Sequence, residues 1–129
     1  MKKIFLGGTC NNSQWREWLI PSLKIDYFNP VVKDWTPECQ AREIEERENS
    51  DFCLYVLTPK MTGVFSVAEV VDDSNKRPEK TVLCVLDIDD TDVFTKHQLK
   101  SLVQTAKMVV ANGGKAFTRL GDVANYVNQ

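Results

Sequence analysis

The chain has 129 residues, 43% hydrophobic and 26% charged, which predicts one globular domain, residues 1–129, that buries roughly two-thirds of its unfolded surface. With 16 basic and 18 acidic residues the formal charge is -2, so no basic field favours nucleic acid or an anionic membrane as a partner. The four cysteines are far apart, and the apolar run at the N-terminus is too short for a signal sequence or a membrane span. We therefore expect a cytoplasmic protein with no metal site and no disulfide framework.

The first predicted strand, Lys3 to Leu6, runs into a Gly-Gly-Thr turn at residues 7–9. Glycines let backbone N–H groups approach a ligand closely, so this turn is a candidate ligand loop, although an ordinary tight turn is the alternative. It is neither a GxGxxG sequence nor a P-loop. Ser13 then caps a first helix, in which Arg16 is either solvated or held by an acid or an anionic ligand.

The second predicted strand, Ile25 to Phe28, is followed by a loop that carries Asp34 and Trp35. Trp35 either packs on the neighbouring helix or stacks on a ring of a ligand in the crevice. Thr36 then caps a helix over Pro37 to Asn49, whose many charges predict a solvated outer face.

The third predicted strand, Phe52 to Leu57, is a continuous run of β-formers without polar alternation, a pattern typical of a strand covered on both faces. Asp51 stands at its start. Gly63 gives the following loop an adjustable hinge, and a helix begins near Ser66.

Glu69 lies near the start of this helix and off its buried stripe of Val67, Val70 and Val71. In open α/β sheets ligands bind beyond the carboxyl ends of the strands, so an acid at this point is a candidate catalytic group. The alternative is that Glu69 only complements the helix dipole.

The chain continues with a buried strand from Thr81 to Leu86, an acidic segment at residues 87–92, a helix from Thr95 to Ala111, a short edge strand at residues 116–118 and a last helix from Asp122 to Val127. The acidic segment lacks the spacing of a calcium loop, and we interpret it as a solvated loop.

Strand and helix thus alternate five times, with crossovers long enough for parallel βαβ units. This predicts a doubly wound three-layer α/β sandwich with a five-stranded parallel sheet in the order 2-1-3-4-5. The third and fourth strands are expected inside the sheet. The loops that follow the first three strands should meet at one edge.

Three segments, FLGGTC…WREWLIPSL, YFNPVVKDW and SDFCLYVLTP…GVFSVAE, resemble the nucleoside 2-deoxyribosyltransferase-like proteins over most of residues 3–86. The resemblance implies a flavodoxin-like fold and a helix-borne glutamate that attacks C1′ of a nucleoside sugar, which then passes to another base or to water. The family glutamate falls on Glu69. Typical members also carry an aspartate six positions earlier, where this chain has Gly63, which indicates a divergent branch.

The resemblance also suggests the remaining parts of the site. The acid that protonates the leaving base in such enzymes either corresponds to Asp51 or is missing here, and Asp34, in the adjacent loop, is a second candidate. Related enzymes complete their pockets with a neighbouring subunit, so we expect a homo-oligomer, most simply a twofold dimer. The residues expected to contact the substrate are Gly7, Gly8, Thr9, Asn12, Asn29, Trp35, Gly63 and Ser66.

The predicted partner is a small-molecule nucleoside or nucleotide, with no cofactor. Two other functions stay open at the level of sequence. One is a non-catalytic module that binds or sequesters a nucleotide, which the absence of the usual aspartate favours. The other is an N-glycohydrolase that acts on NAD or a nucleotide, in which water replaces the acceptor base.

Overall fold

The fold is built on a parallel sheet, seen here in a computed structural model that describes residues 1–10 and 12–129. The strands are β1 (Lys3–Gly8), β2 (Asp26–Phe28), β3 (Phe52–Leu57), β4 (Thr81–Val85), β5 (Ile88–Asp89), β6 (Asp92–Val93) and β7 (Lys115–Phe117). Five of them form the sheet in the order β2-β1-β3-β4-β7, and every pairing is parallel. This confirms the predicted order and the inner positions of β3 and β4, and it is consistent with a flavodoxin-like fold.

Helices cover both faces of the sheet. They are α1 (Trp15–Leu19), α2 (Pro37–Asn49), α3 (Phe65–Lys76), α4 (Lys96–Ala111) and α5 (Leu120–Val127). A short 3-10 segment, Ile20–Ser22, continues α1 at Pro21, and another precedes β4 at Pro78–Lys80. Among the described residues, no helix is both long enough and apolar enough to cross a bilayer.

Side chains of the sheet alternate between two buried clusters. On the face covered by α1 and α5 the cluster includes Ile4, Leu6, Trp15, Leu54, Val56 and Val127. On the face covered by α3 and α4 it includes Phe5, Tyr55, Leu57, Val70, Leu83 and Val109. Because β3 and β4 are covered on both sides, their sequences need no polar alternation.

Local capping residues fix where the longer helices begin. The Thr36 side chain accepts a hydrogen bond from the Cys39 backbone N–H, and Pro37 occupies the first helical position of α2. Thr95 and Gln98 form a reciprocal capping box at the start of α4. Both helix starts agree with the positions predicted from the sequence.

The acidic segment after β4 is largely exposed, as the sequence predicts, but it is not an irregular loop and Asp89 within it is buried. It folds into an antiparallel hairpin of β5 and β6, in which Ile88 pairs with Val93 and Asp89 with Asp92. Asp89 is 1% exposed, whereas Asp92 is exposed. The sequence did not reveal the difference, because the groups that hold Asp89 come from two distant loops.

Candidate functional site

A cavity of about 230 Å³ opens at the carboxyl edge of the sheet. The segments that follow β1, β2 and β3 contribute its walls, together with one residue of α2. The lining residues are Gly7, Gly8, Cys10, Arg16, Pro30, Val31, Val32, Trp35, Glu43, Ser66 and Glu69. This edge is where open α/β sheets bind their ligands.

Glu69 lies on α3 with its side chain only 11% exposed. It is the fifth residue of the helix and lies beyond the first turn. The helix dipole acts mainly within that first turn, so it has little effect on Glu69. Burial raises the pKa of Glu69 to about 7, and the negative charges of Glu43 and Asp73 add to this rise while Arg47 opposes it. At neutral pH the carboxyl group is therefore poised between its neutral and ionised forms.

Glu43, on α2, is the second carboxyl group of the cavity, and it lies close enough to Glu69 for the two side chains to share a proton. Burial raises the pKa of Glu43 as well, against the opposing effects of Arg47, the Glu69 hydrogen bond and Arg16. Two carboxylates in contact repel one another, so the pair favours a state in which they share one proton. Such a pair can present an anion and an acid side by side.

Arg47, also on α2, supplies the cation that holds this pair. Its Nη1 lies 3.4 Å from Glu69 Oε2, and its Nη2 lies 2.8 Å from Oδ1 of the fully buried Asp73. Asp73 in turn accepts hydrogen bonds from the Tyr55 hydroxyl and lies 3.4 Å from Arg77 Nη1. The guanidinium group of Arg47 is thus fixed from the core side and directed at Glu69.

Arg16 is buried, in contrast to the solvated alternative drawn from the sequence, and it forms no salt bridge with an acid among residues 1–10 and 12–129. It is 6% exposed, and its three nitrogens donate to the backbone carbonyls of Leu6 and Thr9 at 2.8–3.1 Å. Burial lowers the pKa of Arg16 to about 10, which still leaves it charged at neutral pH. Arg16 therefore stabilises the turn after β1 through hydrogen bonds to its backbone carbonyl groups.

The two glycines at the end of β1 have a packing role. Gly8 has φ +113°, and a Cβ atom there would lie 2.2 Å from the carbonyl oxygen of Val56. A Cβ atom on Gly7 would come within 2.9 Å of the Phe5 and Tyr55 rings. These positions need glycine because the end of β1 lies directly on β3. Both glycines also line the cavity.

Five of the residues predicted to form the site do line the cavity: Gly7, Gly8, Trp35, Ser66 and Glu69. Trp35 is 58% exposed and lies at the mouth. Asn29 lines an adjoining cavity of about 390 Å³, which shares Glu43 with the first. The other predicted contacts lie apart from both cavities.

Three of these other residues are the predicted substrate contacts Thr9, Asn12 and Gly63. Thr9 is buried, and its hydroxyl oxygen accepts a hydrogen bond from the Thr58 backbone N–H at 3.0 Å. Asn12 is exposed with φ +57°. Gly63 is exposed with open space where a side chain would point.

The structure does not bring Asp51 or Asp34 to Glu69. Asp51 lies at the amino end of β3, on the opposite edge of the sheet, where its carboxylate accepts a hydrogen bond from the Lys3 backbone N–H at 2.8 Å. Asp34 is exposed in the loop before α2 and is not among the residues that line the cavity. Parallel strands start on the side away from the ligand edge, which explains the distance of Asp51.

Glu43 and Arg47 were not predicted from the sequence, because the charged residues of α2 were interpreted as a solvated outer face. One signal could have found them. A helix that covers a sheet normally carries an apolar stripe, yet in α2 the largest apolar side chain, Ile44, is 50% exposed. Polar residues at helical spacing, Glu43, Glu46 and Arg47, had to occupy the inner face instead.

A larger cavity, of about 820 Å³, lies away from Glu69 between α4 and the ends of β4 and β7. Its lining is mostly apolar and includes Val85, Leu99, Val103, Val110 and Phe117. Among the described residues that line it, Asp87 is the one carboxyl group, so it holds no pair of carboxyl groups. The two carboxyl groups with raised pKa values make the smaller cavity the better candidate for the functional site, although its volume is lower.

Comparison with known proteins identifies the family of the chain. The chain matches the family model for nucleoside 2-deoxyribosyltransferase-like proteins over residues 1–88, a region that contains every residue lining the smaller cavity. No curated protein and no solved structure matches it significantly. On the strength of a match that covers more than half of its length, the chain belongs to the nucleoside 2-deoxyribosyltransferase-like family.

Proposed function

We propose that the protein cleaves or transfers the N-glycosidic bond of a nucleoside or nucleotide, with Glu69 as the nucleophile. The observation that carries the proposal is the buried Glu69 carboxyl group, which lines one cavity with a second carboxyl group and lies 3.4 Å from a fixed guanidinium group. A displacement at an anomeric carbon that passes through a glycosyl-enzyme needs this combination of anion and acid.

In the first step the shared proton moves from Glu69 to Glu43, and Glu69, now a carboxylate, attacks C1′ and forms an ester with the sugar. The bond between C1′ and the base nitrogen breaks, its electron pair goes to the base, and the shared proton passes from Glu43 to the base. In the second step an acceptor base or water attacks C1′, the ester bond breaks and Glu69 leaves as a carboxylate. Glu43 takes the proton of the incoming nucleophile.

Glu43 replaces Asp51 and Asp34 as our proposed proton donor, because it alone of the three is in hydrogen-bond contact with Glu69. It also lines both the cavity of Glu69 and the adjoining one that contains Asn29. With the sugar in one cavity and the base in the other, an acid that lines both cavities reaches the base nitrogen that is bonded to C1′. Trp35, at the mouth, offers an aromatic face to the base.

The direct test is to incubate the protein with a panel of nucleosides, nucleotides and NAD, and to measure released or exchanged base by chromatography. Glu69→Gln should keep fold and ligand binding while base release falls by several orders of magnitude, because an amide cannot act as an anionic nucleophile. Release of base to water alone would identify a hydrolase. Undiminished release by Glu69→Gln would contradict the role of Glu69.

A second candidate function is a non-catalytic nucleotide-binding module, which Gly63 favours. The family's usual aspartate contacts the sugar hydroxyls from this position, and here no side chain is present. Binding of a nucleotide in calorimetry, without release of base from any member of the panel, would select this alternative.

We further propose that the protein is a homo-oligomer in which a second copy covers the mouth of the cavity. Five large apolar side chains are 45–74% exposed: Val31, Val32 and Trp35, which line the cavity, and Val64 and Phe65, which directly precede its Ser66. Apolar groups concentrated in one patch favour burial against a partner. We also propose that the protein is cytoplasmic and that it needs no cofactor.

A further inference from the structure

Asp89 is a buried acid that the proposed chemistry does not use. Its Oδ2 accepts hydrogen bonds from the hydroxyl groups of Ser13 and Thr58, each at 2.6 Å. Its Oδ1 is buried and has no partner among residues 1–10 and 12–129. The nearby cation, Lys60, instead lies within 3.3 Å of the exposed carboxylates of Asp90 and Asp92.

These bonds join three segments that are far apart in the sequence. Ser13 lies between β1 and α1, Thr58 follows β3, and Asp89 lies in the hairpin after β4. The Thr58 backbone N–H also donates to the Thr9 hydroxyl at 3.0 Å, which adds a second link between the first two segments. The segment after β1 carries Cys10 and leads to Arg16, and the segment after β3 leads to Ser66, so both border the cavity.

A buried carboxylate with no cation beside it is a poor source of stability, because removing its charge from water costs several kcal/mol. Two short hydrogen bonds to an ionised acceptor offset part of that cost. What they provide in addition is a fixed geometry, since one oxygen atom can accept both hydroxyl groups only when the two loops are correctly placed. Specific placement is therefore the reason we infer for an acid at this position.

We propose that Asp89 is a positioning residue that fixes the loops after β1 and β3 and thereby sets the affinity of the cavity for its nucleoside. This inference rests on the proposed function, because it takes the smaller cavity as the substrate site. Asp89 acts through Ser13 and Thr58 and does not itself touch the substrate. Arg47 holds Glu69 and lowers the pKa of Glu43 independently of Asp89, so the chemical step should depend little on Asp89.

The test compares Asp89→Ala with Asp89→Asn and with Asp92→Ala, an exposed acid of the same hairpin. Loss of charge-assisted hydrogen bonds in Asp89→Ala should raise KM by about 10-fold or more and change kcat by less than about threefold. Asp89→Asn keeps an oxygen that accepts both hydroxyl groups, so its KM should stay within about threefold of wild type. Asp92→Ala should match wild type.

Amide hydrogen exchange gives a readout that does not depend on activity. Asp89→Ala should exchange faster in the segments after β1 and β3, with β3 and β4 unchanged, while Asp89→Asn and Asp92→Ala behave as wild type. Unchanged exchange after β1 and β3, faster exchange throughout the sheet, or an unchanged KM in Asp89→Ala would each overturn the inference. If wild type releases no base, the proposed function fails, and a nucleoside Kd from calorimetry takes the place of KM in deciding on Asp89.

Discussion

At the scale of single residues, the site concentrates like charges where they cannot all be solvated. Glu43, Glu69 and Asp73 surround one guanidinium group, that of Arg47, and burial raises the pKa of both glutamates. Arrangements of this kind lower stability and recur at catalytic sites, where a group must change its protonation state near neutral pH. The cost should be measurable.

Glu69→Gln should make the protein more stable at alkaline pH. The pKa of Glu69 is about 7 in the folded state against 4.5 in the unfolded chain, so the folded state binds the extra proton between these values. Stability of the wild type should therefore fall as pH rises from 4.5 to 7, by at most about 3 kcal/mol from this group. In urea denaturation the variant should exceed wild type at pH 8 and equal it at pH 4.

The control for this measurement is Glu45→Gln, which removes an exposed glutamate from α2. It should reproduce the wild-type dependence of stability on pH. A Glu69→Gln variant that is less stable than wild type at pH 8 would show that the ionised carboxylate is well compensated in the fold, against our expectation.

Glu43→Gln tests the proton donor through the leaving group. Without the acid, release of an ordinary purine base should fall about 10²–10⁴-fold in kcat, the usual contribution of general acid catalysis. A 7-methylpurine base leaves its nucleoside as a neutral molecule and needs no protonation. With such a substrate, the fall in kcat caused by Glu43→Gln should therefore be much smaller. Rates for both substrates in wild type and variant give the comparison, and equal losses would argue against Glu43 as the acid.

At the scale of elements, α2 illustrates what sequence patterns can and cannot predict. Its boundaries were predictable, because Thr36 and Pro37 are local signals of a helix start. Its orientation was not, because the inner face is polar and finds its partners on β1 and α3, through Lys3, Glu69 and Asp73. The missing apolar stripe indicates that the inner face is polar, but one sequence does not show which distant charges that face pairs with.

Arg47→Met should move the activity of the protein toward alkaline pH. Arg47 lowers the pKa of Glu69, so its removal raises that pKa and leaves less nucleophile ionised at pH 7. The acidic limb of the kcat profile should shift upward by about 1 unit or more. Arg42→Met, on the same helix, removes a largely exposed cation that pairs with Glu46 and should leave the profile in place.

Gly8, at the end of β1, and Gly63, in the loop after β3, offer a matched test of packing. Gly8→Ala places a Cβ atom against the Val56 carbonyl in a backbone region that L-residues avoid, and it should destabilise the protein by about 2 kcal/mol or more. Gly63→Ala meets no atom within 4 Å and should be neutral or stabilise by up to about 1 kcal/mol. Chemical denaturation of both variants measures the difference, and equal effects would contradict the packing role of Gly8.

At the scale of the whole molecule, the topology was predictable to a greater extent than the site. Buried parallel strands such as β3 and β4 have an apolar sequence that is visible without any structure, and short right-handed crossovers leave few possible orders. Glu69 was within reach, because its spacing places it at the ligand edge of the sheet. Asp89 was not, because it looks the same in sequence as its exposed neighbours.

A dimer that covers the mouth of the cavity should dissociate when its apolar rim becomes charged. Phe65→Asp changes a side chain that is 74% exposed, so it should leave the fold of one chain intact and break a contact between two. Light scattering should give a twofold lower mass for the variant than for wild type. A monomeric wild type at working concentration would remove the proposal.

The polar inner face of α2 has a consequence for inactivation by heat. Ion pairs attach this helix to the rest of the molecule, and Glu46 is the only one of its residues that is buried. Local opening of such an element exposes little apolar surface, so it should need less free energy than opening of the sheet. Because Glu43 and Arg47 leave with α2 while Glu69 stays, turnover should disappear reversibly several degrees below the melting of the core, and ligand should delay its loss.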